Sequence, residues 1–304
     1  MKVMAEDLWF PEGPVYLEDG SIIVVEIRRK TLTRIWKNGK KTIVADLEGG
    51  PNGAAIGPDG SCFVANNGGF EFKQRNDGVF ATSGAAKNYK TGSIQKVDLS
   101  TGEFSTVYTT NGQFIIRGPN DLAFDCHGGF YFTDPGKTRE RTWDRGCVCY
   151  AKADGTEIKE IIFPITKPNG VGLSPDQTKL YVAETESARL WEWEISEPGV
   201  LAPQEQNAPT PHGGRLVYVS PKSCRFDSLA VDVHGNVCVG TLDMGGITII
   251  DVKTGTANFV KVPGDTHITN LCFGGNEQNK AYITQSYAGR LIEMDWPPKG
   301  TELN

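Results

Sequence analysis

The sequence predicts an all-β fold, a six-bladed β-propeller with four-stranded blades around a central channel. First, a sequence motif occurs six times: one polar residue, a short apolar run, a tight turn and a second apolar run. Each copy of this motif is called a phrase. Second, a fainter hairpin follows several copies, so each unit holds about four strands, the size of a propeller blade. Third, the copies span the whole chain of 304 residues, beginning at Glu12, Asn52, Asn120, Asn169, Asp227 and Thr269.

Each phrase is predicted to be a β-hairpin. In the third copy, the run Leu122-Ala-Phe124 and the run Phe130-Tyr-Phe132 flank a turn that contains Gly128 and Gly129. Two short β-rich runs joined by a glycine-containing turn are typical of a hairpin. Closing six such units into a ring removes the exposed sheet edges that isolated blades would leave. Because every copy needs its neighbours to bury its faces, we expect residues 1–304 to form a single domain.

Two segments depart from the repeat. Residues 2–9 are predicted to form a strand that pairs with the last blade, because residues 291–295 alone leave that blade one strand short. The step from the second phrase to the third is the longest, and its surplus falls at residues 68–90. This insertion follows an inner hairpin, so it should project near one mouth of the ring. There it would be either a lid carrying Phe70, Phe72 and Arg75 or an ordinary surface loop.

The composition narrows the class of protein. The net charge of −6 argues against nucleic acid or an anionic membrane as a partner. No run is long enough for a transmembrane helix, and the first residues lack the apolar core of a signal peptide. The seven cysteines are an odd number without a CxxC pair, and Cys62, Cys238 and Cys272 fall in predicted core strands. We therefore expect a cytoplasmic protein, and a monomer because the closed ring satisfies its own edges.

The first residues of the six phrases form a column that should meet at the channel. They comprise two carboxylates, three carboxamides and one hydroxyl, at Glu12, Asn52, Asn120, Asn169, Asp227 and Thr269. Aiming so many polar groups at one point is costly without a ligand. Hard oxygen donors in this number suit Ca²⁺. No His or Cys occurs at the six column positions, which disfavours Zn²⁺. The alternative is that these residues merely form turns, but their recurrence in register favours a metal site.

Four motifs resemble one known family along essentially the whole chain: the senescence-marker-protein/gluconolactonase (regucalcin-like) family. They are Phe10-Pro-Glu12-Gly-Pro, Gly118-Pro-Asn120-Asp-Leu-Ala-Phe-Asp, Lys167-Pro-Asn169-Gly-Val-Gly-Leu-Ser-Pro-Asp and Thr269-Asn-Leu-Cys-Phe-Gly-Gly. The resemblance implies a six-bladed propeller and divalent-metal-dependent hydrolysis of lactones. It also implies metal ligands at Glu12, Asn169 and Asp227, with Asn120 binding either the metal or the substrate.

The resemblance leaves the metal and the substrate class open. Ca²⁺ is expected, with Zn²⁺, Mn²⁺, Fe²⁺ and Mg²⁺ as alternatives. Asn52 matches a less regular family position. After Asp134-Pro, Gly136-Lys-Thr-Arg139 stands where many lactonases have an aromatic-glycine pair. The expected reaction is opening of a sugar-type lactone whose carbonyl the metal polarises.

The catalytic residue expected is Asp227, as a general base. Direct attack by its carboxylate is a further possibility. Asp121 is a rival base, unless strand alternation turns it away from the channel. The remaining expected contacts are with the substrate, and they come from Asn120, Asp121, Arg117, Asn52 and His267. For Arg117 the alternative is a surface salt bridge, and for His267 a solvent-facing loop position.

Other functions stay open. The closest rival is a phosphotriesterase similar to diisopropylfluorophosphatase, which the resemblance places on the same scaffold. A non-enzymatic calcium-binding or protein-interaction propeller is a second rival, although both expected metal carboxylates are present. A propeller that condenses aldehydes and amines without metal lacks support for the same reason.

A second column of mostly polar residues stands at the end of the six phrases. It comprises Glu26, Asn66, Asp134, Glu184, Thr241 and Gln285. These residues are predicted to cap strands, and a second ion site is the alternative.

Overall fold

The computed structural model describes residues 1–203, 210–275 and 279–296. Six antiparallel sheets follow one another around a ring, which confirms the six-bladed propeller. The first strand, β1 (Lys2–Ala5), belongs to the last blade. Blade 1 contains β2 (Pro11–Tyr16), β3 (Ile22–Glu26), β4 (Thr31–Ile35) and β5 (Lys41–Asp46). Blade 2 contains β6 (Pro51–Ile56), β7 (Cys62–Asn66), β10 (Ser93–Val97) and β11 (Phe104–Tyr108). A separate hairpin of β8 (Phe70–Gln74) and β9 (Phe80–Ala85) is inserted between β7 and β10.

The remaining blades follow the same plan. Blade 3 contains β12 (Leu122–Phe124), β13 (Gly129–Asp134), β14 (Gly146–Lys152) and β15 (Ile158–Ile165). Blade 4 contains β16 (Pro168–Leu173), β17 (Lys179–Glu184), β18 (Arg189–Glu197), β19 (Val200–Leu201) and β20 (Arg215–Val219), with both β19 and β20 on β18. Blade 5 contains β21 (Arg225–Val231), β22 (Val237–Leu242), β23 (Gly246–Asp251) and β24 (Thr256–Lys261). Blade 6 contains β25 (Ile268–Gly274), β26 (Lys280–Gln285) and β27 (Arg290–Asp295).

The ring closes through its two ends, as predicted. Strand β1 pairs antiparallel with β27, which supplies the fourth strand of blade 6. The six innermost strands are β2, β6, β12, β16, β21 and β25, and each contacts the next around the circle. The first and last blades are therefore neighbours although they lie at opposite ends of the sequence.

Six apolar cores hold the blades together, one between each neighbouring pair. Between blades 1 and 2, for example, Val15, Val25 and Leu32 pack against Cys62 and Val64. The alternation of each strand places one set of apolar residues on each face, so every blade contributes to two cores. The prediction that Cys62, Cys238 and Cys272 are core residues is confirmed, since all three are buried. All seven cysteines are free.

Three residues of the second polar column, Asn66, Asp134 and Glu184, cap strands as predicted. Asp134 accepts backbone N–H bonds from Arg117 and Gly118 at 2.7 and 2.8 Å. Asn66 accepts one from Gly50 at 2.8 Å, and Glu184 accepts one from Thr166 at 3.0 Å. Each of these side chains fixes the segment that leads into the inner strand of its own blade.

The described part of the chain contains no helix that is long and apolar enough to cross a membrane.

Candidate metal and active site

The first polar column converges on one cavity at a mouth of the channel. The cavity has a volume of about 800 Å³, and its wall includes all six residues of that column, Glu12, Asn52, Asn120, Asn169, Asp227 and Thr269. Glu12, Asn52, Asn169 and Thr269 are buried, whereas Asn120 and Asp227 are partly exposed to the cavity. The structure thus brings together side chains that lie as far apart in the sequence as Glu12 and Thr269.

A β-bulge at the start of the inner strands aims these side chains. In β16 the register shifts between Pro168 and Val171, so Asn169 and Gly170 together oppose one residue of β17. In β21 and β25 the column residue and the residue after it likewise oppose one residue of the next strand. In β6 Asn52 is the extra residue, and in β2 the bulge follows Glu12. A bulge re-aims a side chain and ends regular pairing, and bulges occur often beside active sites. In β6, β16, β21 and β25 the bulge therefore includes the column residue, and each of these residues lines the cavity.

Glycine follows the column residue where neighbouring inner strands come closest. A Cβ on Gly53 would lie 2.5 Å from the backbone oxygen of Asn120, and one on Gly170 would lie 2.5 Å from the backbone nitrogen of Leu229. Neither position leaves room for a side chain. The Asn-Gly pairs of the sequence therefore combine a polar side chain with the close backbone approach that a narrow channel requires.

A second polar layer lies directly behind the first. It consists of the residues that follow the column in blades 3, 5 and 6, Asp121, Ser228 and Asn270, all of which are buried. The amide of Asn270 donates to Glu12 Oε2 at 2.8 Å, and Ser228 donates to Asn169 Oδ1 at 3.4 Å. Sequence alternation gave no signal for this layer, because alternation alone turns these residues away from the channel.

Asp121 occupies this second layer and does not line the larger cavity. Its Oδ1 accepts the backbone N–H of Leu122 at 2.9 Å. It borders the next stretch of the channel, a cavity of about 240 Å³ whose other lining includes Val15, Leu122 and Leu271. Burial, with a smaller contribution from Asp227, raises the pKa of Asp121 to about 7. The possibility that Asp121 points away from the channel is wrong, because Asp121 lines this inner stretch of the channel.

The two carboxylates of the column are crowded and largely removed from water. Burial, the charge of Asp227 and the charge of Asp121 raise the pKa of Glu12 well above its ordinary value. Burial also raises the pKa of Asp227 to about 7, against the opposing effects of a hydrogen bond from Asn169 and the positive charge of Arg225. Carboxylates in this state favour a proton or a bound cation that balances their charge.

The column residues fit a hard metal ion. Glu12 Oε1 and Asn120 Oδ1 are buried and have no hydrogen-bond partner among the described residues. An unpaired buried acceptor is costly, and a cation satisfies it. No group of three or more His, Cys, Asp and Glu side chains suited to a metal occurs in residues 1–203, 210–275 and 279–296. The column offers two carboxylates, and its other oxygen donors are amides and a hydroxyl.

His267 and Arg117 have different positions relative to the cavity. His267 lines the cavity and is buried, with its ring stacked on Tyr287 at a centroid distance of 3.8 Å. Burial and the nearby Arg225 lower the pKa of His267 to about 3, so its ring is neutral. The structure does not bring Arg117 to the cavity wall. Its guanidinium lies 3.8 Å from Asp144, which is the surface salt bridge that the sequence left as an alternative.

Lys137 is a further buried polar residue, which the sequence marked only as part of the unusual segment Gly136-Lys-Thr-Arg139. Its side chain is among the largest that are fully buried. Its Nζ donates to Asn67 Oδ1 and to the Gly69 carbonyl, both at 3.3 Å. It also lies over the rings of Phe70 and Tyr89 at 4.5 and 4.8 Å. The lysine therefore joins blade 3 to the base of the inserted hairpin.

Comparison with known proteins places the chain in a family. Residues 10–287 match the model described as the SMP-30/Gluconolactonase/LRE-like region. A gluconolactonase of Zymomonas mobilis is 25% identical, covering 94% of this chain and 79% of that protein. Lactonase drp35 of Staphylococcus haemolyticus is 26% identical, covering 87% of this chain and 73% of that protein.

Comparison with solved structures supports the fold. The structure of a regucalcin from Agrobacterium tumefaciens, described as a calcium-binding protein, superimposes with a TM-score of 0.74. It is 16% identical and the match covers 99% of this chain and 97% of that one, so this likeness shows the fold alone. Because the family model spans most of the sequence, the chain belongs to the SMP-30/gluconolactonase/LRE-like family of six-bladed propellers.

Proposed function

We propose that the chain is a divalent-metal-dependent hydrolase that opens a sugar-type lactone, with Ca²⁺ as its metal. One observation carries the proposal: two carboxylates and three carboxamides from five blades line one cavity, where two buried acceptor oxygens lack a partner among the residues that the structure describes. Family membership and the lactonase activity named for two relatives support the reaction class. The calcium-binding regucalcin of the same fold supports the metal.

Glu12, Asn169, Asp227 and Asn120 would hold the metal. Oxygen donors from carboxylates and amides suit Ca²⁺, which accepts six to eight such ligands in flexible geometry. When bound, a dication polarises the lactone carbonyl and stabilises the negative charge that develops on its oxygen. Zn²⁺, Mn²⁺, Fe²⁺ and Mg²⁺ are the alternatives for a metal titration to compare.

Asp227 would act as the general base. Its carboxylate lines the cavity, where one oxygen could hold the attacking water while the other contacts the metal. It would take a proton from the water that attacks the carbonyl. Asn120 and Asn52 would orient the substrate through their amides, and the neutral ring of His267 would form part of the wall without adding charge.

Proton release from a panel of aldonolactones tests this proposal. The panel is measured with and without chelator for wild type and for Asp227→Asn, after subtraction of spontaneous ring opening. We expect chelator-sensitive activity that falls by about 10²-fold or more in Asp227→Asn, the range for loss of a general base. Asp251→Asn is the matched control, because Asp251 is the last residue of β23 in the same blade and does not line the cavity.

Tight metal binding without hydrolysis of any lactone would contradict the proposed reaction. Hydrolysis of phosphotriesters but not of lactones would instead favour the phosphotriesterase alternative. Activity that resists chelator would contradict the role of the metal.

A further inference from the structure

The inserted hairpin β8–β9 forms one wall of the candidate active-site cavity. Phe70 at its base lines the cavity, together with four consecutive residues of β9, Thr82, Ser83, Gly84 and Ala85. Successive side chains of a strand point to opposite faces. The register of β8 and β9 shifts here, so Ser83 and Gly84 together oppose Glu71 and the alternation is interrupted. Strand β9 contributes four residues to the cavity wall and β8 contributes Phe70, so β9 lies nearer the cavity, with its unpaired edge on that side. The polar column lines the same cavity on the inner strands of the blades.

The base of the hairpin is firmly held. The Ala86 N–H donates to the Gly69 carbonyl at 3.1 Å, so the two ends of the insertion meet. Lys137 is bound to the same carbonyl, and its ammonium lies over the Phe70 ring. The Tyr89 hydroxyl donates to the Arg117 carbonyl at 2.6 Å. These contacts attach the hairpin to blade 3 as well as to its own blade.

The far end of the hairpin is attached to blades 1 and 6. The Arg28 guanidinium lies 3.8 Å from the centroid of the Phe80 ring. Phe72 packs edge-on against Phe10 at 5.3 Å, and Arg75 lies 5.6 Å from the Tyr287 ring. Cation–π contacts of this kind are attractive, because the ring face carries partial negative charge. With both ends attached, the hairpin is a fixed wall of the cavity.

The edge of β9 that faces the cavity carries unused hydrogen-bonding groups. Among the described strands β9 pairs only with β8, so half of its peptide groups point away from any partner strand. Thr82 and Ser83 are exposed residues that line the cavity, and their hydroxyls have no hydrogen-bond partner in the described residues. An uncharged row of donors and acceptors of this kind matches the hydroxyl groups of a polyol.

We propose that this hairpin is the specificity-determining wall of the site, and that the edge of β9 binds the hydroxyl groups of a polyhydroxylated lactone. A lactone of the same ring size without hydroxyl groups would displace water from these polar groups without forming hydrogen bonds to them. This loss carries a free-energy penalty. The inference rests on the proposed lactonase function and adds the element of the fold that selects the substrate.

The test compares glucono-1,5-lactone with δ-valerolactone, which has the same six-membered ring and no hydroxyl substituents. One variant carries Thr82→Val and Ser83→Ala, which remove both hydroxyls. A second variant replaces residues 71–84 by a three-residue turn, which is feasible because Gly69 and Ala86 are already hydrogen-bonded. Lys73→Ala is the control, because Lys73 is an exposed residue on β8 that does not line the cavity. Ca²⁺ titration of each variant reports separately on the metal site.

We expect wild type to prefer gluconolactone in kcat/KM. The double substitution should lower this preference about 3- to 10-fold, mainly through KM, because each lost hydrogen bond to a neutral group has a modest effect. The shortened variant should lower it about tenfold or more, while Ca²⁺ affinity stays unchanged in both.

Two outcomes would overturn the inference in distinguishable ways. If wild type cleaves lactones but the preference is unchanged in both variants, the wall has no role in specificity and the lactonase function stands. If wild type cleaves neither lactone, the proposed function fails and the inference fails with it. The double substitution keeps the test decisive even if the shortened variant does not fold.

Discussion

Asn270 shows how a single residue of the second polar layer supports the site. Its amide donates to Glu12 Oε2 at 2.8 Å, and the Gly13 N–H donates to the same oxygen. Glu12 Oε1 is left without a partner in the described part of the chain. Residues that orient metal ligands typically change metal affinity by 10- to 100-fold when mutated.

We therefore expect Asn270→Ala to weaken Ca²⁺ binding about tenfold, because the Glu12 carboxylate loses the bond that fixes its direction. Titration calorimetry of the purified protein measures this change. Asn258→Ala, at an exposed position on β24, is the matched control. Equal affinities for wild type and Asn270→Ala would show that Glu12 is oriented by other contacts.

Lys137 offers a pH-dependent test of its own burial. Desolvation lowers the pKa of Lys137 to about 8, although the negative charge of Asp134 opposes that effect. In the unfolded chain its pKa returns to the ordinary lysine value of about 10.4. Between these two pH values the unfolded state binds more protons than the folded state, so stability rises with pH.

We expect the free energy of unfolding of wild type, relative to Lys137→Met, to increase by about 1–3 kcal/mol from pH 7.5 to pH 10.5. Urea denaturation at both pH values measures the difference. The comparison with the variant cancels the titration of other groups. A constant difference would mean that the ammonium stays charged throughout, held by its cation–π and hydrogen-bond partners.

At the scale of the secondary-structure element, the bulged inner strands decide the geometry of the channel. Gly53 follows the column residue Asn52, and a Cβ there would lie 2.5 Å from the Asn120 carbonyl oxygen and 2.7 Å from Asp121 Cα. These are backbone atoms of the neighbouring blade, so only a displacement of the strands could relieve the clash.

We expect Gly53→Ala to destabilise the protein by about 1–3 kcal/mol, the usual cost of overpacking a close-packed site. Gly60→Ala is the control, since a Cβ there meets nothing within 4 Å and only the positive φ of 80° opposes it. Denaturant unfolding measures both variants. A smaller effect for Gly53→Ala than for Gly60→Ala would contradict the close approach of the inner strands.

The same bulges explain which parts of the site the sequence could predict. The column residues recur at the start of each phrase, so their convergence followed from the repeat. The second layer did not follow, because a period of two assigns Asp121 and Asn270 to the face opposite the column residues. A bulge that places two residues against one breaks that period, and its position depends on the neighbouring blade.

At the scale of the whole molecule, stability depends on the closure between β1 and β27. Met4 of β1 is buried in a core with Ile22, Ile35 and Leu291, which come from the first and last blades. Val3, the preceding residue on the same strand, is 43% exposed. The two positions share one strand and differ in the face that they present.

We expect Met4→Ala to lower the free energy of unfolding by about 2–3 kcal/mol, because it leaves a cavity in the core that closes the ring. Val3→Ala should change it by less than about 1 kcal/mol, since surface substitutions have small effects. Thermal or urea unfolding of the two variants gives the comparison. Equal effects would show that β1 contributes little to the closure.

The sequence by itself determined the six blades, the closure by the first strand, the strand caps and the six column residues. All of these follow from a repeated local pattern of polar, apolar and turn residues. Similar units that follow one another along the chain can pack into a closed ring in few ways. Only the tertiary structure decided that Arg117 lies outside the cavity, that Asp121 and Asn270 form a second layer, and that β9 faces the site. These features depend on contacts between residues distant in sequence, such as Arg28 with Phe80 and Lys137 with Gly69. Local patterns record burial and turns, whereas the direction of an inserted hairpin is set by the partners it meets in space.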